Sequence, residues 1–537
     1  MKRSRLTALT ALAAAGAIAL SACTRAEPPA EPDDPAQGTN SVFEPGFFEK
    51  DAPAEPTDGG TLTVADYAEA RTLDPSRAIA TGYSGGSSLI AVYDQLVRWN
   101  QRDQAFENRL AESVEPNDDY TEWTITLRKD AKFSDGTPVN ADAVIGSFNY
   151  YIQNKGFDLG VVGSKWGGAE KVDDTTVKVK LRESWATFPF ALGMGMGFIV
   201  APAAIEGGPD NFKPIGAGAF TYESYKPQEE LVLAANPNFW EGKPHLDKLR
   251  FVWVGADETK YDSLTSNSVQ VAVIRDLRMT KQSREADHSG WLTIESLGNI
   301  IQVNQAQGRP GSDPAVSKAI AHAINEEELY DRVFDGLGLP TKRLFPPGSV
   351  WHNEDVEAPE FDPEQAKKYL EEAKGNGFDG TVKMISLADP ISRDQGLTLQ
   401  AQLEAAGFKV ENDFVRTVTD ITTKIHIERD FDFARTALAI NDADPYWRLY
   451  SGFHSKSPAN AYGYADDEFD ALLEELQATP VDERADVLKR VEERFLSDLP
   501  AITFAGNVTF IAWQQNVHGV QPTNDAMVGF EKAWIAN

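Results

Sequence analysis

The feature that most constrains this chain is its cysteine count: one, Cys23, in 537 residues. No intrachain disulfide can form, so the fold must be held by apolar cores rather than covalent staples. With 42% apolar residues, a chain of this length can build more than one such core.

The surroundings of Cys23 add a second constraint. Lys2, Arg3 and Arg5 precede an uncharged apolar run over residues 6–20, and Leu20, Ser21 and Ala22 lead directly into the cysteine. A basic start, a short apolar stretch and small residues make a secretory leader, too short for a permanent membrane span. Leu-Ser-Ala-Cys resembles the bacterial lipobox, in which the cysteine becomes the acylated first residue. The expectation is a signal peptide over 1–22, a lipid on Cys23, and residence on the outer face of the bacterial cytoplasmic membrane. Residues 23–59, rich in Pro, Ala, Glu and Asp, read as a disordered tether. The formal net charge of −31 makes nucleic acid and anionic headgroups poor partners for the body behind it.

Within that body, strand and helix patterns alternate irregularly, which predicts mixed α/β domains rather than a barrel or a regular doubly wound sheet. Trp123, Ile125 and Leu127 alternate with polar residues, as do Val177, Val179 and Leu181, predicting half-buried strands. Leu231-Val232-Leu233 and residues 249–254 predict further strands. Asn140 is a candidate cap for a helix over 141–153. Asp313-Pro314, Asp362-Pro363 and Thr479-Pro480 each pair a capping side chain with a proline at a predicted helix start, with Val487, Leu488, Val491 and Phe495 facing inward on the last.

The search for catalytic chemistry returns one weak pattern. Gly82-Tyr83-Ser84-Gly85-Gly86 matches the G-x-S-x-G of a hydrolase elbow, but residues 76–80 (SRAIA) lack the β-branched run of the strand it requires. Seven histidines without a His-Glu-x-x-His motif, and no cysteine pair, predict no metal site. No phosphate loop is present, and no cofactor is expected. A secreted serine hydrolase therefore rests on Ser84 alone, and the chain reads as a binder, not an enzyme.

Four segments resemble the peptide/nickel-binding family of ABC-importer solute-binding proteins, the large three-lobed class called family 5 or cluster C. The first is ENRLAESVEPNDDYTEWTITLRKDAKFSDGTPVNADAVIGSF over 107–148. The second runs from Pro214-Ile215-Gly216-Ala217-Gly218-Ala219-Phe220 to LVLAANPNFWEGKPHLDKLRF, with Ala217 and Ala219 where the family usually has Thr and Pro. The third is VNQAQGRPGSDPAVSKAIAHAINEEEL, with Asn325 at a usual aspartate. The fourth combines FDPEQAKKYLEEA, LQAQLEAAGFKV and FDFARTALAINDADPYW.

The resemblance implies an α/β, two-lobed periplasmic-binding-protein fold that closes on a hinge, with an extra subdomain on the N-terminal lobe. Mapped here, 60–92, 212–295 and 506–537 form lobe I, 93–211 the extra sheet subdomain, and 296–505 lobe II. It also implies an extracytoplasmic protein, monomeric in solution, that captures a short peptide or peptide-like solute and delivers it to membrane permease subunits. Gly82, Tyr83, Leu438, Ala439, Ile440, Asn441, Asp442 and Asp444 are the candidate cleft residues.

Peptide-binding members carry Trp-x-x-Asp before an Asp-Pro on lobe II, the first Asp meeting the peptide ammonium. Here those positions are Leu438 and Asn441, so Asp442 or Asp444 is left to supply the carboxylate. Dipeptide binders also place an arginine for the terminal carboxylate, where this chain has Ser386; Arg393 and Arg435 are the candidates to hold an anionic end. These departures leave open a non-peptide cargo: a sugar on Tyr446, Trp447 or Trp166, a nickel chelate or an amino-acid derivative.

Overall fold

The computed structural model describes residues 41–537 apart from 53–54. The signal peptide, Cys23 and the first part of the expected tether lie outside the described residues.

The chain enters through β1 (Gly46–Phe48), β2 (Thr61–Asp66) and α1 (Gly86–Tyr93). A separate antiparallel sheet follows, built from β3 (Ala111–Pro116), β4 (Glu122–Leu127), β5 (Trp166–Asp173) and β6 (Thr176–Leu181) in the order β3-β4-β6-β5. Its inner face is the predicted alternation: Trp123, Ile125 and Leu127 on β4 and Val177, Val179 and Leu181 on β6 are all buried. Helix α2 (Ala141–Gln153) starts where Asn140 accepts a hydrogen bond from the Ala143 amide at 3.0 Å.

The chain continues through β7 (Phe220–Lys226), β8 (Glu230–Ala235), β9 (Lys248–Trp253), β10 (Val271–Ile274) and the long β11 (Ser289–Val303). Helices α3 (Pro314–Ala323), α4 (Glu326–Phe334) and α5 (Pro363–Gly375) come next, α3 and α5 capped by Asp313 and Asp362. Then follow β12 (Thr381–Leu387), α6 (Pro390–Ala406), β13 (Lys409–Val415), β14 (Phe433–Thr436), α7 (Pro445–Phe453), α8 (Asp467–Ala478), α9 (Ala485–Asp498) and β15 (Ala501–Trp513).

The main sheet has eleven strands in the order β13-β12-β14-β11-β15-β10-β2-β9-β8-β7, with β1 on β11. Two strands join its halves. β11 and β15 run antiparallel, and their ladder breaks between Glu295 and Asn299. At the break Leu297 has a φ of +49°, and a Cβ on Gly298 would lie 2.2 Å from the Asn507 amide nitrogen. A bulge that only glycine fits bends both strands at one place and divides the sheet into two lobes.

Two expectations are corrected. The tether does not extend to residue 59: β1 pairs with β11, placing Phe47 opposite Trp291, and Phe43 is buried. The apolar knot of Val42, Phe43, Phe47 and Phe48 was hidden by averaging composition over a Pro- and Glu-rich stretch. Thr479-Pro480 does not open the long helix either. Thr479 closes α8, a short 3-10 turn (Val481–Glu483) intervenes, and α9 begins at Ala485. Its inward residues Val487, Leu488, Val491 and Phe495 are buried as expected.

Candidate solute site

The two candidate cleft segments both attach to the hinge break. Tyr83 lies in the turn before α1, and its hydroxyl donates to the Glu295 carboxylate on β11 and lies 2.9 Å from Thr509 Oγ1 on β15. Burial pushes the Glu295 carboxyl up despite Arg275 Nη2 at 3.3 Å and Asn507 Nδ2 at 3.1 Å. Arg275 lies over the rings of both Tyr67 and Tyr83, which meet edge to face. Beside them Asp66, at the end of β2, caps the Tyr67 amide, and burial pushes its carboxyl up to about 7. Gly82 is pressed against the C-terminal turn: its amide donates to Asp525 O at 2.8 Å, and a Cβ would sit 1.9 Å from Ala526 O.

On the other side, Leu438 and Ala439 donate to Leu297 O, and Ile440 exchanges backbone hydrogen bonds with Ser296. Ala439 has a φ of +56°. Each segment is thus tied to the same few residues of β11 on which the halves of the sheet meet.

The candidate residues differ in what they can offer a solute. Asn441 Oδ1 accepts from the Ala443 amide, stiffening the turn and offering no carboxylate. Half-buried Asp442 accepts from Ser349 Oγ at 2.7 Å and from the Val350 amide at 3.0 Å, and burial pushes its carboxyl up to about 6. Asp444 is a correction: it is fully buried against Arg484 at 2.5 Å and Thr187 at 3.1 Å, so its charge is already met within the protein. Arg393 is exposed and lies over Phe414 on the edge strand β13.

Arg435 is the informative one. It is 8% exposed, its Nη1 donates to Gln395 Oε1 at 2.7 Å, and its Nε is buried without a partner. Among the described residues no carboxylate lies within 4 Å of it, and Asp389 acts only from longer range. The register of β12 on β14 (Ile385 opposite Ala434) brings Ser386, whose buried Oγ is also unpartnered, alongside Arg435. A guanidinium buried in this way costs several kcal/mol unless an anion compensates it.

The remaining alternatives find other roles. What precedes Ser84 is a turn, not a strand, so no nucleophile elbow is built. Tyr446 and Trp447 are buried against Trp185 of the extra sheet region and present no free face to a sugar, while Trp166 is half-buried and meets Phe148 edge to face. A hollow of about 550 Å³ lined by Lys318, His322 and Tyr369 lies among α3, α5 and α9, outside both cleft segments. Sequence reasoning missed Tyr67, Arg275, Glu295, Arg448 and Asp525, which lie far apart along the chain and follow no local spacing. No described helix is long and apolar enough to cross a membrane.

Comparisons with known proteins agree with this geometry. Residues 105–460 match the family described as bacterial extracellular solute-binding proteins, family 5 middle. The chain is 26% identical over 474 residues to heme-binding protein A of Haemophilus influenzae, covering 82% of this chain and 86% of that one. It is 25% identical over 501 residues to di/tripeptide-binding protein 2 of Pseudomonas aeruginosa, covering 86% and 92%. Among solved structures, the dipeptide-binding protein of Pseudoalteromonas sp. SM9913 in complex with Met-Leu superposes with a TM-score of 0.75 at 20% identity, covering 89% of this chain and all of that one. The chain therefore belongs to family 5 of the bacterial extracellular solute-binding proteins and has their two-lobed α/β fold.

Proposed function

We propose that this protein captures short peptides or peptide-like solutes between Gly82-Tyr83 and Leu438–Asn441 and delivers them to the membrane subunits of an ABC importer. The observation that carries the reading is Arg435, a buried guanidinium without a counter-charge among the described residues, three residues before the cleft segment. An extended solute would lie along the backbone of residues 438–441 and place its carboxylate on Arg435, with Ser386 as a second donor. Asp442, next in the chain to that segment, would supply the carboxylate for an ammonium group. The protein acts as a monomer without catalysis, held at the outer face of the membrane by a lipid on Cys23.

Native mass spectrometry of the purified protein, followed by denaturing release, tests this. A distribution of short peptides is expected. A second reading is motivated by Leu438 and Asn441, which lack the aromatic ring and the charge that peptide-binding members use. It keeps the fold and changes the cargo to an anionic non-peptide solute, and a single non-peptide mass would select it.

A further inference from the structure

We propose that Arg448 and Asp525 form a latch across the cleft, set by the contact between Gly82 and the C-terminal turn. The proposal rests on the two-walled cleft above. Arg448 Nη2 lies 3.2 Å from Asp525 Oδ2, and the two side chains are 20% and 7% exposed. The sequence places them 77 residues apart, one on each side of the hinge.

Each partner is fixed to one wall. Arg448 stands in the first turn of α7, which follows the 438–444 segment directly and is anchored at its start by the buried Asp444–Arg484 pair. Asp525 sits in the turn Asn524–Ala526, where two successive non-glycine residues have φ of +51° and +54°, a conformation L-residues avoid. Surrounding contacts hold the turn there. Gly82 donates to Asp525 O, Thr523 Oγ1 donates to Trp99 O at 2.6 Å, and the Val528 amide donates to Ser87 Oγ at 3.0 Å. Asp525 is therefore carried by the Gly82 loop and Arg448 by the 438–444 segment and α7, whose Tyr446 and Trp447 also pack on Trp185, so that the latch adds to this apolar contact.

The latch is also incompletely satisfied. Arg448 Nε is buried without a partner among the described residues, and the buried carboxylates of Asp158 and Glu295 lie within electrostatic reach of both members. An ion pair held in this way favours the closed arrangement without locking it, because opening returns both charges to water. A solute that shifts Gly82 shifts Asp525 with it, coupling binding to closure.

Single-molecule energy transfer in the absence of solute tests the latch separately from the identity of the cargo. In the chain carrying Cys23→Ser, dyes on Tyr222→Cys and Leu397→Cys, both exposed and on opposite lobes, report their separation. Asp525→Asn or Arg448→Ala should raise the open fraction about tenfold. Gly82→Ala should do the same without touching either charge, since its Cβ displaces the turn. The exchange of Asp525→Arg with Arg448→Asp should restore closure. Single variants that fold and stay as closed as the parent would overturn the latch. Opening of these variants in a protein that releases no solute would leave the latch standing and count against the cargo reading alone.

Discussion

Two buried clusters of charge, one where residues 94–109 meet Glu241 and Glu531 and one along the candidate cleft, use the same residue types to opposite effect. In the first, Arg98 and Arg109 meet Glu531, Asp94, Glu107 and Glu241, with Arg98 Nη2 2.5 Å from Glu531 Oε1 and Arg109 Nη2 3.0 Å from Glu241 Oε2. The two arginines hold the Glu531 carboxyl down at about 2 although it is buried. Along the cleft, burial dominates. It pushes Asp158 up to about 6 and Asp66 up to about 7, and raises Glu295 and Asp525, because the cations nearby are too few or too distant. The first cluster satisfies itself and acts as frame; the second remains responsive to an arriving charge.

The largest expected effect comes from breaking the frame. Glu531→Ala leaves two buried guanidinium groups short of an anion and should lower stability by about 3–5 kcal/mol, read from chemical denaturation. The frame should also dominate acid sensitivity. A carboxyl whose folded pKa is depressed contributes stability above its unfolded value, and that contribution is lost as pH falls through the window from 4.5 to about 2. The loss should amount to about 3 kcal/mol and be absent in Glu531→Gln.

The cleft should respond in binding rather than in folding. Arg435→Ala removes an uncompensated charge, so stability should hold while affinity for the co-purified solute falls about 10- to 100-fold, by calorimetry. The smallest effect sharpens the contrast in sign. Asp158 has a raised folded pKa, so its contribution is present below 3.8 and lost as pH rises through about 6. Asp158→Asn should therefore be no less stable at pH 7, within about 1 kcal/mol, and should lack this part of the pH slope.

Much of the fold was legible in sequence because it follows local rules. Period-two alternation located β4 and β6, and Asn140, Asp313 and Asp362 marked helix starts whose caps the structure contains. Thr479-Pro480 misled because the same signature closes one helix and opens a short turn. The site was only partly legible. Spacing along the chain does not distinguish Arg435 from Arg393, because it does not tell which arginine faces the interior. Asp444 looked available until Arg484, forty residues away, turned out to neutralise it. Glu295, Arg275 and Asp525 acquire meaning only where β11 and β15 cross, a contact with no local trace.

Hydrogen exchange with and without the co-purified solute, removed by unfolding and refolding, tests the central claim most directly. Solute-dependent protection is expected at 81–86, 296–298 and 438–444, the two walls and the hinge that joins them. Protection confined to the hollow lined by Lys318, His322 and Tyr369, with those three segments unchanged, would contradict it.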